Sequence, residues 1–157
     1  MTGFEPQAVR QDWNRATDSD WASVLAGLPL FSRIGKRKLR KLVRQAQFAE
    51  FAPGESVVAT DAPADSFYVI LGGEAKAFAK PAARTLKTGD YFGEMALLDD
   101  GRRSATVVAT ADLHVLRIPR RAFLGLIEQD SGVAYTMLSE LAARVRRLER
   151  QPAPSVT

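Results

Sequence analysis

The sequence contains no cysteine. Disulfides, thiolate-bound zinc, iron–sulfur clusters and thiol nucleophiles are therefore excluded. It contains one histidine, His114, which removes His-rich metal sites and argues against a His-based catalytic triad. His114 stands between Leu113 and Val115 in a strand-like run, so its side chain faces the side opposite to theirs. No run approaches the roughly 18 apolar residues of a membrane span. No export signal is expected either, because Arg10, Asp12, Arg15, Asp18 and Asp20 interrupt the N-terminal stretch. The chain reads as cytoplasmic.

What is present is ordinary for a globular protein: 46% apolar and 25% charged residues. The 157 residues suit a single domain, and a chain of this size buries about 70% of its unfolded surface. Arginine outnumbers lysine 16 to 6, which together with abundant alanine suggests a GC-rich, bacterial genome. The net charge of +4 is unevenly spread: residues 31–50 carry seven basic and one acidic side chain, residues 140–150 four and two. Arg33, Lys36, Arg37, Arg40, Lys41 and Arg44 recur at helical spacing and would form one stripe. The plain reading is a solvated helix face. The same stripe suits DNA, an acidic protein or an anionic membrane surface, although the sequence offers no clear nucleic-acid recognition element.

The hydrophobic period divides the chain. Residues 1–18 are polar and read as a loose arm, 19–150 as the folded domain, and 151–157, with Pro152 and Pro154, as a tail. A helix is expected over 19–30, capped by Ser19 or Asp20 and stopped by Pro29. A second is expected over 35–46, with Leu39, Leu42, Val43 and Ala46 on one face. From Phe48 the period becomes strand-like. Pro53-Gly54 is a turn signal, and Ser66 to Leu71 is a β-branched and aromatic run. Gly72-Gly73 followed by Ala75, Ala77 and Ala79 predicts a hairpin. Further strands are expected at Arg84–Leu86, Thr106–Ala109 and Leu113–Ile118, then helices over 121–129 and 131–150. The expected fold is α+β and mainly β: a jelly-roll-like β-roll with N-terminal helices and C-terminal helices packed on it.

Residues 89–107 read GDYFGEMALLDDGRRSATV. Gly93 permits a close backbone approach, and Glu94 to Leu98 suit one helical turn whose free amides can face an anion. Arg103 follows nine residues after Glu94, with the small residues Ser104 and Ala105 beside it. An arginine can grip two phosphate oxygens with its planar fork, and a carboxylate can accept a hydrogen bond from a sugar hydroxyl. A ligand with both groups would suit this segment. An ordinary loop with a surface Glu–Arg pair would produce the same spacing.

The segment resembles the phosphate-binding cassette of the cyclic nucleotide-binding domain family, which includes catabolite activator protein and protein kinase A regulatory subunits. Phe92-Gly93-Glu94-Met95-Ala96-Leu97 and Arg103-Ser104-Ala105-Thr106 carry the resemblance, and Phe51, Gly54-Glu55, Asp65, Phe67 to Ile70 and Gly73 fit the same β-roll pattern. It extends over about residues 28–148. The resemblance implies that Arg103 pairs with the cyclic phosphate and Glu94 with the ribose 2′-hydroxyl. Gly93 and the amides of Ala96 and Ser104 would line the phosphate pocket, with Met95 and Ala105 beside them. Arg102 falls outside the register and is read as solvent-facing.

Base choice is read two ways. Ser104, where cGMP binders of the family often carry threonine, favours cAMP. Arg84 resembles a strand arginine with which some members contact guanine, and it leaves cGMP possible. In the C-terminal helix Arg144 or Arg147 could stack on the purine as a cation, while Tyr135 is read as core. The chain is thus expected to be a non-catalytic regulatory module for a cyclic nucleotide, cAMP preferred, whose ligand shifts the C-terminal helices. The alternatives are a cGMP-preferring module, or a degenerate one kept for protein or anionic-surface contacts. The partners implied are the nucleotide and either a regulated protein or a second copy joined through the C-terminal helix.

Overall fold

The computed structural model describes residues 17–59, 62, 64–79, 83–99 and 101–150; of the expected arm over 1–18 all but Thr17 and Asp18 lies outside them, as does the tail over 151–157. Helix α1, Asp18–Ala26, opens the fold. Its cap is Thr17, earlier than expected. The Thr17 side chain accepts from the Asp20 amide at 3.1 Å and the Asp20 carboxylate accepts from the Thr17 amide at 2.8 Å, so one pair of side chains satisfies two otherwise orphaned donors. Helix α1 ends before Pro29, which instead starts a short 3-10 turn, Pro29–Phe31; proline is well suited to a first helical position. Helix α2, Lys36–Gln45, buries Leu39, Leu42 and Val43 beneath an exposed basic face. Arg33 precedes it, so the helical part of the basic stripe begins at Lys36.

Among the described residues eight strands follow: β1 Gln47–Phe51, β2 Ser56–Val58, β3 Ser66–Gly72, β4 Glu74–Phe78, β5 Ala83–Lys87, β6 Tyr91–Phe92, β7 Thr106–Ala109 and β8 Leu113–Pro119. Between β6 and β7 lies helix α3, Glu94–Leu98. The strands form two four-stranded sheets, ordered β1-β8-β3-β6 and β2-β7-β4-β5. This is the expected β-roll flanked by helices at both ends. The chain ends in α4, Arg120–Gln129, and α5, Ser131–Arg150. Asp130 joins them, its Oδ1 accepting from the Gly132 and Val133 amides at 3.1 and 3.2 Å, which satisfies free donors at the start of α5.

The Gly72-Gly73 hairpin is not formed. β3 and β4 belong to different sheets, and β4 pairs with β5 and β7 instead. Gly73 has φ 93°, and a Cβ on it would collide with the Asp112 carbonyl. The glycine pair therefore serves a corner where two backbones meet, not a two-residue turn. Pro53-Gly54 likewise leads from one sheet to the other, with the Gly54 amide donating to Ala109 O at 2.7 Å. Ala75 and Ala77 are buried as their alternation suggests, but β4 ends at Phe78 and Ala79 is exposed.

Two apolar clusters explain the sequence pattern. Tyr68, Ile70, Leu113 and Val115 of the first sheet meet Ala75, Ala77, Leu86, Val107 and Ala109 of the second. Phe67, Val69, Leu71, Leu116 and Ile118 point the other way, onto the helices through Leu25, Phe31, Leu39, Phe123 and Met137. The first sheet is covered on both faces, so β3 is continuously apolar from Phe67 to Leu71 instead of alternating. Tyr135 is not core: it is 69% exposed, because α5 fully buries only Val133 and Met137. His114 lies opposite Leu113 and Val115 as expected, with its Nδ1 3.3 Å from Glu50 Oε1. No helix among the described residues is long and apolar enough to cross a membrane.

Candidate functional site

At the end of β6, Phe92 stacks on Tyr68 of β3 with ring centroids 5.0 Å apart. The next residue, Gly93, adopts φ 92°, ψ 1° and turns the chain into α3. Glycine takes this left-handed conformation without steric cost. It also makes room: a Cβ on Gly93 would stand 2.5 Å from Arg103 Nη1 and 3.2 Å from Ser66 O. The glycine and the arginine of the motif are therefore one packing unit.

Arg103 is only 4% exposed. Its Nη2 donates to Ser66 O at 2.7 Å and its Nη1 to Gly93 O at 3.2 Å. Asp65 Oδ1 lies 3.7 Å from Nη2, and Asp65 Oδ2 accepts from Arg117 Nη2 at 2.6 Å. Arg117 Nε in turn donates to the Ser66 hydroxyl at 2.9 Å. The Arg103 guanidinium also lies 5.6 Å from the Tyr68 ring centroid. Burial lowers the Arg103 pKa, while Tyr68 and Asp65 oppose the shift; an arginine so placed remains a cation.

Glu94, the first residue of α3, is 3% exposed. Its Oε1 faces Arg144 of α5, with Nη1 at 3.5 Å. Arg144 Nη1 also stands 3.5 Å from the Met95 sulfur. One turn earlier on α5, the Glu140 carboxylate accepts a hydrogen bond from the Tyr91 hydroxyl. Burial and this bond to Glu140 push the Tyr91 phenol above its usual pKa, so it stays protonated. Two side chains of α5 thus grip the elements on either side of Gly93.

All eight residues singled out in the sequence line one pocket of about 400 Å³: Arg84, Gly93, Glu94, Met95, Ala96, Arg103, Ser104 and Ala105. Val58, Ala77 and Val107 supply an apolar wall, and Arg144 completes the rim. The pocket combines one carboxylate, three guanidinium groups and an apolar surface, a composition suited to an anion with an apolar body. Arg84 is exposed on β5 and lies in the electrostatic field of Arg144, Glu94, Asp90 and Tyr91. Arg144 reaches the site, whereas Arg147 is exposed and outside the pocket, as is Arg102. Sequence reasoning placed Asp65 only in the β-roll pattern and gave none of Asp65, Ser66 and Arg117 a part in the site. Ser66 and Arg103 are 37 positions apart, and only the pairing of β3 with β8 brings Arg117 alongside. No group of three metal-ligating residues occurs among the described residues.

A family model described as a cyclic nucleotide-binding domain matches residues 48–130. The chain is similar to the cAMP-dependent protein kinase regulatory subunit of Aspergillus fumigatus, with 36% identity over 110 residues, covering 68% of this chain and 27% of that protein. It thus spans about a quarter of the length of the curated relatives it matches. Among solved structures it is similar to the Thermus thermophilus catabolite activator protein, with 29% identity, a TM-score of 0.67, and coverage of 77% of this chain and 60% of that one. The fold is also that of the regulatory domain of Toxoplasma gondii PKA crystallised with cAMP, at 23% identity and a TM-score of 0.71, covering 88% of this chain and 54% of that one. The first curated relatives are fungal, which lends no support to the bacterial origin suggested by composition.

Proposed function

The chain belongs to the cyclic nucleotide-binding domain family, and on that premise we propose that it is a non-catalytic sensor binding cAMP in preference to cGMP in the pocket around Arg103. One observation carries this reading. Arg103 and Glu94, both nearly inaccessible to solvent, line the same 400 Å³ pocket. Burying a cation and an anion is costly unless partners or function retain them.

The roles follow from the donors available. Two of the five Arg103 N–H groups are fixed by the Ser66 and Gly93 carbonyls. The fixed fork offers its remaining donors to the exocyclic oxygens of a cyclic phosphate, with little rotamer entropy left to lose. The amides of Ala96 and Ser104 and the exposed Ser104 hydroxyl add donors, and Gly93 keeps the approach open. Glu94 accepts the ribose 2′-hydroxyl. The purine rests against the apolar wall of Val58, Ala77 and Val107, where adenine asks little of any one residue. Arg84 favours a second reading, a preference for cGMP, because it stands at the same pocket and its guanidinium could bond the guanine edge.

The output is a shift of α5. In the described state Arg144 occupies Glu94, so a bound ribose competes with the helix for the same carboxylate. A ligand moves a two-state element only through such differential contacts. The domain that responds is taken as residues 19–150. Its regulated partner is taken either as a protein kinase catalytic subunit, by analogy with the named relatives, or as a second copy meeting α5, where Leu138, Val145 and Leu148 are exposed. Calorimetric titration of wild type and Arg103→Ala with cAMP and cGMP tests the proposal. Binding of cAMP that the substitution abolishes supports it; failure of both nucleotides to bind wild type overturns it.

A further inference from the structure

A second concavity lies between α2 and α4, built from residues that do not line the nucleotide pocket. It is open to solvent and spans about 680 Å³. Its apolar floor includes Leu42, Ala122 and Leu126. Gly125 of α4 keeps it open, because nothing lies within 4 Å of where its Cβ would stand. A glycine inside a helix is normally unfavourable, and no packing contact accounts for this one.

The rim is cationic. Lys38, Lys41 and Arg121 surround the groove, and α2 as a whole carries six basic residues and no acidic one. Lys38 is matched by Asp130 at 3.5 Å, and Asp130 is also engaged with the start of α5. Lys41 and Arg121 have no ion pair among the described residues. Cations held apart around an apolar trough repel one another, so an occupant that brings carboxylates relieves this as it binds.

The shape of the groove selects among anionic partners. A bilayer is flat and cannot enter it, and the large exposed apolar side chains of the described residues all lie on elements other than α2 and α4. Duplex DNA presents phosphates but no apolar group to fill a floor of Leu42, Ala122 and Leu126. A peptide with carboxylates flanking leucine-like side chains satisfies both features at once. We propose that the groove between α2 and α4 docks an acidic, leucine-bearing segment of a partner protein, its carboxylates on Lys41 and Arg121 and its apolar side chain over Gly125. This proposal stands independently of the nucleotide pocket.

The test is fluorescence anisotropy on the full chain with a fluorescein-labelled peptide in which leucines are flanked by glutamate and aspartate. Wild type is expected to bind it, and a peptide with serine in place of leucine is expected to bind at least about tenfold more weakly. Lys41→Glu combined with Arg121→Glu should weaken binding at least about tenfold. Gly125→Leu should do the same with every charge intact, and Gly125→Gln is a second groove-filling variant should the first not fold. Circular dichroism confirms that each variant tested is folded. No binding to wild type, or binding unchanged in folded groove-filled variants, overturns the proposal. Binding to phosphatidylserine vesicles or duplex DNA in place of the peptide overturns it as well and assigns the basic helix to that partner.

Discussion

Arg144 Nη1 stands 3.5 Å from Glu94 Oε1 although the two residues are 50 positions apart. The contact ties the last helix of the fold to the acidic end of the pocket. Together with the Tyr91–Glu140 hydrogen bond, it makes α5 the element most directly coupled to whatever occupies Glu94.

Arg144→Ala should therefore loosen α5 without disturbing the β-roll. Glu94 is buried, so removing Arg144 leaves its carboxylate without this ion pair, which raises local opening at the contact with α5. Amide hydrogen exchange without ligand is expected to quicken over residues 131–150 and to stay constant in β3 and β8. Arg147→Ala, which removes an exposed arginine from the same helix, is the control. Equal exchange in both variants would detach α5 from the pocket.

Arg103→Ala should weaken cAMP binding more than any other single substitution in the pocket. A hydrogen bond to a charged group is worth about 1.5–3 kcal/mol, so the loss is at least about tenfold. The same change leaves the Ser66 and Gly93 carbonyls without their arginine donor, so a lower melting temperature is expected alongside. Arg102→Ala should leave both quantities near wild type. A greater effect from Arg102 would place the register of the motif elsewhere.

Glu94→Gln should reduce affinity for cAMP, and the reduction should shrink for the 2′-deoxy analogue. The assigned contact is with that hydroxyl alone, so removing either partner removes the same interaction. Calorimetry on wild type and variant with both ligands completes the cycle. An equal loss for both ligands would give Glu94 a structural role through Arg144 instead.

Arg84→Ala distinguishes the two bases. If Arg84 is only an exposed strand residue, affinities for cAMP and cGMP should each stay within about twofold of wild type. If it contacts guanine, cGMP should lose about tenfold while cAMP is unchanged. The expected outcome is the first, with cAMP binding wild type at least as tightly as cGMP. A wild-type preference for cGMP that vanishes in the variant would overturn the cAMP assignment.

Gly73→Ala should destabilise the fold far more than Gly54→Ala. Both glycines have positive φ, 93° and 90°, and a left-handed alanine costs about 1–2 kcal/mol. Only at Gly73 would the added Cβ also meet backbone, the Asp112 carbonyl, whereas nothing lies within 4 Å at Gly54. Chemical denaturation of the two variants should show the difference in midpoint. Equal losses would mean that the corner relaxes freely.

Much of the architecture was legible because it follows local rules. The spacing of Leu39, Leu42 and Val43 marked a helix, and Ser66 to Leu71 marked a strand. The glycines misled where their role was not local. Gly72-Gly73 has the form of a tight turn, yet it serves a passage between sheets that depends on Asp112, some forty positions later. Tyr135 misled for a similar reason. An aromatic residue in an amphipathic helix suggests burial, but Tyr135 lies on the face of α5 opposite Val133 and Met137, the two residues that the helix buries, and only the assembled fold shows which face is covered.

By itself the sequence determined the β-roll, its flanking helices and eight of the residues that line the pocket. The elements rest on hydrophobic period, whereas the pocket residues were legible only through the motif's resemblance to a known family, since spacing alone fits an ordinary loop equally well. The tertiary structure alone decided what holds Glu94 and Arg103 in place. Asp65 and Ser66 reach Arg103, Arg117 holds those two from the neighbouring strand, and Arg144 reaches Glu94 from the far end of the chain. Such contacts join residues that share no period and no motif. They exist because burying apolar faces on both sides of one sheet folds distant segments together, and the buried charges must then find partners among whatever groups that packing brings within reach.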